Sequence, residues 1–151
     1  MRLEDQLTSL ELSKRLAELG IKQDSIFYWI TSIHHKDEII TRNKLLNEKS
    51  YPVKQYSAFT ASELLEILPA CVDTKKDEPF NNFWLHINKR SAKNIQYIAS
   101  YICDTHAGDE IIDGDNLLFR SLCRNYDEIL SNCLAKMLIF LIENGLIEVP
   151  K

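Results

Sequence analysis

"SIFYWITSI", residues 25–33, has two readings, and they give different folds. Coiled, it would be the second helix of a helix-turn-helix over "LSKRLAELGIKQDSIFYWI" (12–30), with Gly20 at the turn. Leu19, Ile21, Ile26 and Trp29 would then fall on positions such motifs keep apolar. Extended, it is a strand, and its aromatic and β-branched residues favour that form. The coiled reading also fails on chemistry. Leu16 is large where close helix approach wants a small residue, and Arg15 would take an apolar position. The presented residues would be Lys22, Gln23, Asp24, Phe27 and Tyr28, poor in the Arg, Lys, Asn and Gln donors that read base edges. A helix followed by a strand is therefore the expectation. Ile26, Tyr28 and Ile30 would face one way and Phe27, Trp29 and Ile33 the other. Both faces are apolar, which predicts a strand covered on both sides, lying beneath the C-terminal helix.

Upstream, "LTSLELSKRL" (7–16) opens a helix. Thr8 has the N-cap chemistry, Glu11 the N3 position of a capping box, and Leu7 with Leu12 a hydrophobic staple. Leu12, Leu16 and Leu19 share a face, and Gly20 supplies a left-handed stop. The predicted helix is 9–19. "FTASELLEILP" (59–69) repeats the device: Thr60 caps, Glu63 answers, Phe59 staples to Leu64, and Pro69 ends a helix at 61–68. Two openings with different continuations are shared capping chemistry, not a repeat array.

Between these, 37–50 is ambiguous, with Ile39 and Ile40 placed for a strand pairing with 25–33. The segment through Ser57, carrying Pro52, reads as a loop. Downstream, 83–89 and 95–102 alternate and flank the short polar "RSAKN", an antiparallel hairpin. "DTHAGDEIIDGDN" (104–116) reads as a solvated acidic loop with room for a short strand at 110–112. "LLFRSLC" (117–123) fits a strand or a short helix. Ile129, Leu130, Cys133, Leu134, Met137, Leu138, Leu141 and Ile142 trace a wide helical stripe, predicting a helix at 127–143 that Asn144-Gly145 stops. The expected class is α+β: one small antiparallel sheet (strands near 26–33, 83–89 and 95–102) packed against N-terminal and C-terminal helices.

The 151 residues suit a single domain, 1–151, large enough to bury a core without staples. The net charge of −4 supplies no global field for phosphate backbones. No apolar run is long enough to span a membrane, and the N-terminus lacks a signal-peptide core. A cytoplasmic protein is expected, with no membrane partner. Cys71, Cys103, Cys123 and Cys133 contain no Cys-x-x-Cys pair and read as structural thiols.

Candidate chemistry is thin. Setting Gly114 at the glycine of a calcium loop puts Ile111 and Arg120 where carboxylates belong. Cys103, Asp104 and His106 are close in sequence, but catalytic Cys and His meet through a fold. His34-His35 point in opposed directions, and His86 reads as a solvent-facing or hydrogen-bonded sheet residue. Neither a P-loop, a Gly-x-Ser-x-Gly nor a dinucleotide fingerprint is present. No catalytic residue, cofactor or metal is expected, so the chain is read as not an enzyme. One pattern points to binding. The hairpin carries Trp84, Tyr97 and Tyr101 with Lys89, Arg90 and Lys93 near its turn. Aromatics with a polar tip beside cations suit a partner surface or a base-stacking platform.

Segments 12–30, "AFTASELLEILP" (58–69) and "LAKMLIFLIENGLI" (134–147) together resemble a group of small uncharacterised proteins encoded by phages and prophages. The resemblance implies a bacterial cytoplasm, or that of a phage host, and carries no activity or site. The expected role is a non-catalytic accessory protein binding a macromolecule, a protein partner first, with a host protein as one subclass. The alternative is a nucleic-acid-binding or transcription-regulating module using 9–30 or the 83–102 hairpin. Homo-oligomerisation stays open.

Overall fold

The computed structural model describes residues 2–31, 37–47, 54–74, 82–90, 96–103 and 120–150. After a short 3-10 helix, Leu3–Gln6, the first α-helix, α1, runs Leu10–Glu18. Its cap is Ser9, whose hydroxyl accepts from the Leu12 N–H at 3.4 Å. Thr8, the predicted cap, serves elsewhere. It is fully buried, its N–H donates to the Phe59 carbonyl at 2.9 Å, and its Oγ1 accepts from the Phe59 N–H at 3.0 Å. The two similar openings are thus hydrogen-bonded neighbours, Leu7 lying antiparallel to Thr60. A tertiary contact has claimed the Thr8 hydroxyl, and the cap moves one residue on. Gly20 closes α1 at φ +86°, its N–H reaching Ala17 O and that of Ile21 reaching Leu16 O, both at 3.0 Å. That double bond is the Schellman closure expected of a glycine stop.

β1 spans Phe27–Thr31, so the deciding stretch is extended. β2 (Glu38–Thr41) pairs with it antiparallel, Ile39 opposite Trp29 and Ile40 opposite Tyr28, as Ile39 and Ile40 suggested. α2 follows at Arg42–Asn47. β3 (Lys54–Ser57) pairs on the other side, giving the order β2-β1-β3. In sequence the segment through Ser57 reads as loop. It is an edge strand whose Lys54 and Gln55 are exposed, so no apolar alternation marks it. β1 is covered fully on one face alone. Tyr28 and Ile30 are buried with Ile40, while Phe27, Trp29 and Thr31 are half-buried. Nor does β1 lie beneath the C-terminal helix, which rests on a different sheet.

That sheet begins after α3 (Ala61–Ile67), where Thr60 and Glu63 form the predicted capping box. β4 (Cys71–Asp73), β5 (Asn82–Arg90), β6 (Gln96–Cys103) and β7 (Arg120–Asp127) pair antiparallel in that order. The predicted hairpin is β5–β6, with Lys89 opposite Tyr97 and Leu85 opposite Tyr101. "LLFRSLC" yields a strand from Arg120 onward, bulged against Tyr101/Ile102. The last helix, α4, is Leu130–Glu143; it starts later than predicted because β7 runs to Asp127. Gly145 closes it at φ +63°, with the Leu146 N–H on Leu141 O at 2.9 Å.

The fold is α+β, with its strands divided between two antiparallel sheets instead of gathered in one. α4 lies over β6 and β7 and against α1 and α3. Cys133, Leu134, Ala135, Met137, Leu138 and Leu141 are fully buried there, with Leu16, Leu64, Phe83 and Tyr101. No helix is long and apolar enough to cross a membrane among the described residues. The expected acidic loop (104–116) and the short strand expected at 110–112, with His34-His35, Pro52, Asp104, His106 and Lys93, lie outside the described residues.

Replacing Thr8 with Val keeps the shape but strands the Phe59 N–H and the Ser13 hydroxyl, which sits 2.8 Å from Thr8 Oγ1. A loss of about 1–3 kcal/mol is expected in urea denaturation at unchanged slope. Thr60→Ala, which removes only a cap, costs about 1 kcal/mol.

Candidate functional site

Side chains alternate across a sheet, so the register of β5, β6 and β7 sorts them into two faces. The inner face carries Phe83, Leu85, Tyr97, Ala99, Tyr101 and Cys123, all packed into the core under α4. The outer face carries Trp84, His86, Asn88 and Arg90 from β5, and Arg124 and Tyr126 from β7. Between them run Ile98, Ser100 and Ile102 of β6, each buried yet outside that core cluster. Trp84 is 52% exposed and Tyr126 42% exposed. His86, Asn88, Arg90 and Arg124 are exposed as well. The cross-strand rows place His86, Ser100 and Arg124 side by side, with Asn88, Ile98 and Tyr126 in the next row. Two aromatic rings, two guanidiniums and an imidazole therefore share one surface, with Asp73 of β4 at its margin.

The residues singled out from sequence divide three ways. Trp84 and Arg90 stand on this outer face. Lys89 and Tyr97 are on the opposite face, beyond the reach of Trp84, with the Lys89 ammonium 5.5 Å from the Tyr97 ring centroid. Tyr101 is no surface residue. It is fully buried and its hydroxyl donates to the Pro69 carbonyl. Burial, with the neighbouring Cys123 and Cys71, pushes its phenol well above the ordinary range. Treating Trp84, Tyr97 and Tyr101 as one platform is thereby corrected: the register sets odd-numbered residues of β5 against odd-numbered ones of β6, and so splits Trp84 from both tyrosines. Arg124 and Tyr126 join this candidate face although nothing local in the sequence marks them: their two-residue spacing is readable, but their face follows only from the pairing of β7 with β6.

The buried thiols are packing groups. A nucleophilic cysteine is a thiolate. Burial holds the Cys123 thiol up at about 11, and it contacts the Met137 sulfur at 3.0 Å. Burial raises Cys133 too; its Sγ accepts from the Ala99 N–H and donates to the Asn125 carbonyl, both at 3.2 Å. Cys103 ends β6, and its proposed companions Asp104 and His106 lie outside the described residues. No cluster of His, Cys, Asp and Glu that could hold a metal ion occurs among the described residues. The outer face can offer stacking surface, cation–π contacts and guanidinium hydrogen bonds.

No protein-family model, curated protein or solved structure matches this chain.

The raised Cys123 pKa has a pH consequence. The folded chain holds this proton more tightly than the unfolded one, whose thiol keeps an ordinary value near 9.0. Its contribution is complete below pH 9 and is lost as pH rises towards 11. Denaturation midpoints should therefore hold steady to about pH 8.5 and fall beyond it, and the fall should be shallower in Cys123→Ala.

Proposed function

We propose that this chain is a non-catalytic accessory protein, of the phage or prophage kind its sequence resembles. Its outer sheet face would grip a cytoplasmic protein partner. The observation that carries this reading is the joint exposure of Trp84 and Tyr126 on the face that also bears Arg90 and Arg124. Trp, Tyr and Arg are the residues that dominate binding energy at protein interfaces. Burying such an aromatic ring recovers roughly 1.5–3 kcal/mol, so a partner covering both rings gains a substantial anchor. The two arginines and His86 select a partner surface with carboxylates around an apolar centre.

The same rings and guanidiniums also suit stacked bases of a single strand, which supports nucleic-acid binding as the second reading. The deciding region does not offer a recognition helix, since Phe27–Thr31 is a paired strand. A net charge of −4 opposes the approach of a polyanion. A protein partner therefore ranks first.

The test is affinity capture from host cytoplasm with the wild-type chain, followed by titration of the retained protein. Trp84→Ala and Arg124→Glu should each weaken that complex at least about tenfold, while leaving stability within about 0.5 kcal/mol. Glu66→Gln, an exposed change on α3, should leave it intact. Retention that ignores both outer-face variants would sink the proposal. Capture of labelled single-stranded DNA or RNA, lost with rising salt and in the same variants, would replace it with the second reading.

A further inference from the structure

A second site lies on the other side of the hairpin. A groove of roughly 1180 Å³ opens where the start of α4 meets Lys89, Tyr97 and Ile26. Three observations there point to an anion. The N–H groups of Leu130, Ser131 and Asn132 fall in the first turn of α4, where no intrahelical acceptor exists. Ile129 occupies the cap position and no side chain caps it. Ser131 lines the groove, is 1% exposed, and its hydroxyl has no hydrogen-bond partner. A buried hydroxyl left unpaired costs stability unless a ligand completes it. The exposed Lys89 ammonium stands over the Tyr97 ring on the same wall. At the neighbouring α3 start the Glu63 carboxylate already accepts from the Thr60 N–H and hydroxyl.

We propose that this groove binds a phosphate monoester carried on a ring-bearing small molecule, of the nucleotide class. The donors are a helix N-terminus, a hydroxyl and an ammonium. Together they exceed what one carboxylate can accept and suit the three terminal oxygens of a phosphate. The volume far exceeds a lone ion, and the Tyr97 ring and exposed Ile26 side chain give an organic body its contacts. Two carboxylates stand at the groove. Asp5 is tied to Arg2 at 3.4 Å, and Glu128 immediately precedes the α4 cap. Glu128 opposes the ligand and sets a ceiling on affinity.

The test follows amide shifts and calorimetric affinity for the full chain with adenosine monophosphate, inorganic phosphate and adenosine as probes. The monophosphate should move the amides of residues 130–132 and saturate. Inorganic phosphate should move the same amides more weakly, and adenosine should bind at least about tenfold less tightly than the monophosphate. Ser131→Ala should weaken the monophosphate on the order of tenfold with stability equal to or above wild type, because it removes an unsatisfied hydroxyl. Lys89→Met should weaken it similarly, and Glu128→Gln should tighten it. Trp84→Ala should leave it unchanged, which keeps this site independent of the outer face. Unmoved amides at 130–132, unchanged affinity in Ser131→Ala and Lys89→Met, or preference for a peptide carboxylate over both phosphates would overturn the proposal.

Discussion

Thr8 uses every polar atom it has, and the arrangement of the whole chain depends on how. Its N–H and hydroxyl hold the Phe59 backbone, the hydroxyl also meets Ser13 of α1, and its carbonyl accepts the Trp29 indole N–H at 2.8 Å. The next residue, Ser9, gives its N–H to the Asn132 side chain of α4 at 2.8 Å. One tripeptide, Leu7–Ser9, buried at Leu7 and Thr8 and half-buried at Ser9, therefore ties together the three-stranded sheet, the approach to α3, and helices α1 and α4. In a buried setting each of these bonds is costly to leave unmade, so the pieces are held in one mutual arrangement. Nearby bonds reinforce the join: Ser25 Oγ to Ala58 O at 3.2 Å, Ser57 N–H to Gln23 Oε1 at 2.8 Å, and Ile26 N–H to Glu63 Oε1 at 3.0 Å.

What the sequence made legible is what local chemistry decides. The Thr60–Glu63 box, the glycine stops at 20 and 145, the β5–β6 alternation and the stripe of α4 each involve residues a few positions apart. The extended state of Phe27–Thr31 was readable for the same reason. What escaped is set by contacts distant in sequence. Thr8 carries a cap signature, yet Phe59 outbids the helix for its hydroxyl. Sheet membership depends on pairing partners, so β1 could not be assigned apart from the hairpin. β3 hides because an exposed edge strand needs no apolar pattern. For the candidate site, Trp84 and Arg90 were visible while Arg124 and Tyr126 were not, because a side chain's face follows from cross-strand register.

The two faces of the four-stranded sheet carry different burdens. Helices α1, α3 and α4 share one core with the inner face, where the fully buried Tyr101 is locked by the Pro69 carbonyl. The outer aromatics have no place in that core. Natural sheets commonly leave one face to solvent, and then populate it with polar side chains. A Trp and a Tyr set among arginines there is a departure from that pattern, and it is the feature on which the proposed partner surface rests.

The contacts between α1 and α4 bear on the order in which the fold can assemble. Ser9 meets Asn132 and Arg15 meets Glu143, the latter across 128 positions. Closing a loop of that length costs on the order of 4 kcal/mol beyond a fixed term, before any packing offsets it. The Leu16 side of α1 finds its cover only when α4, more than a hundred residues further along the chain, is in place, so the apolar stripe of α1 stays unsheltered in any intermediate that lacks α4.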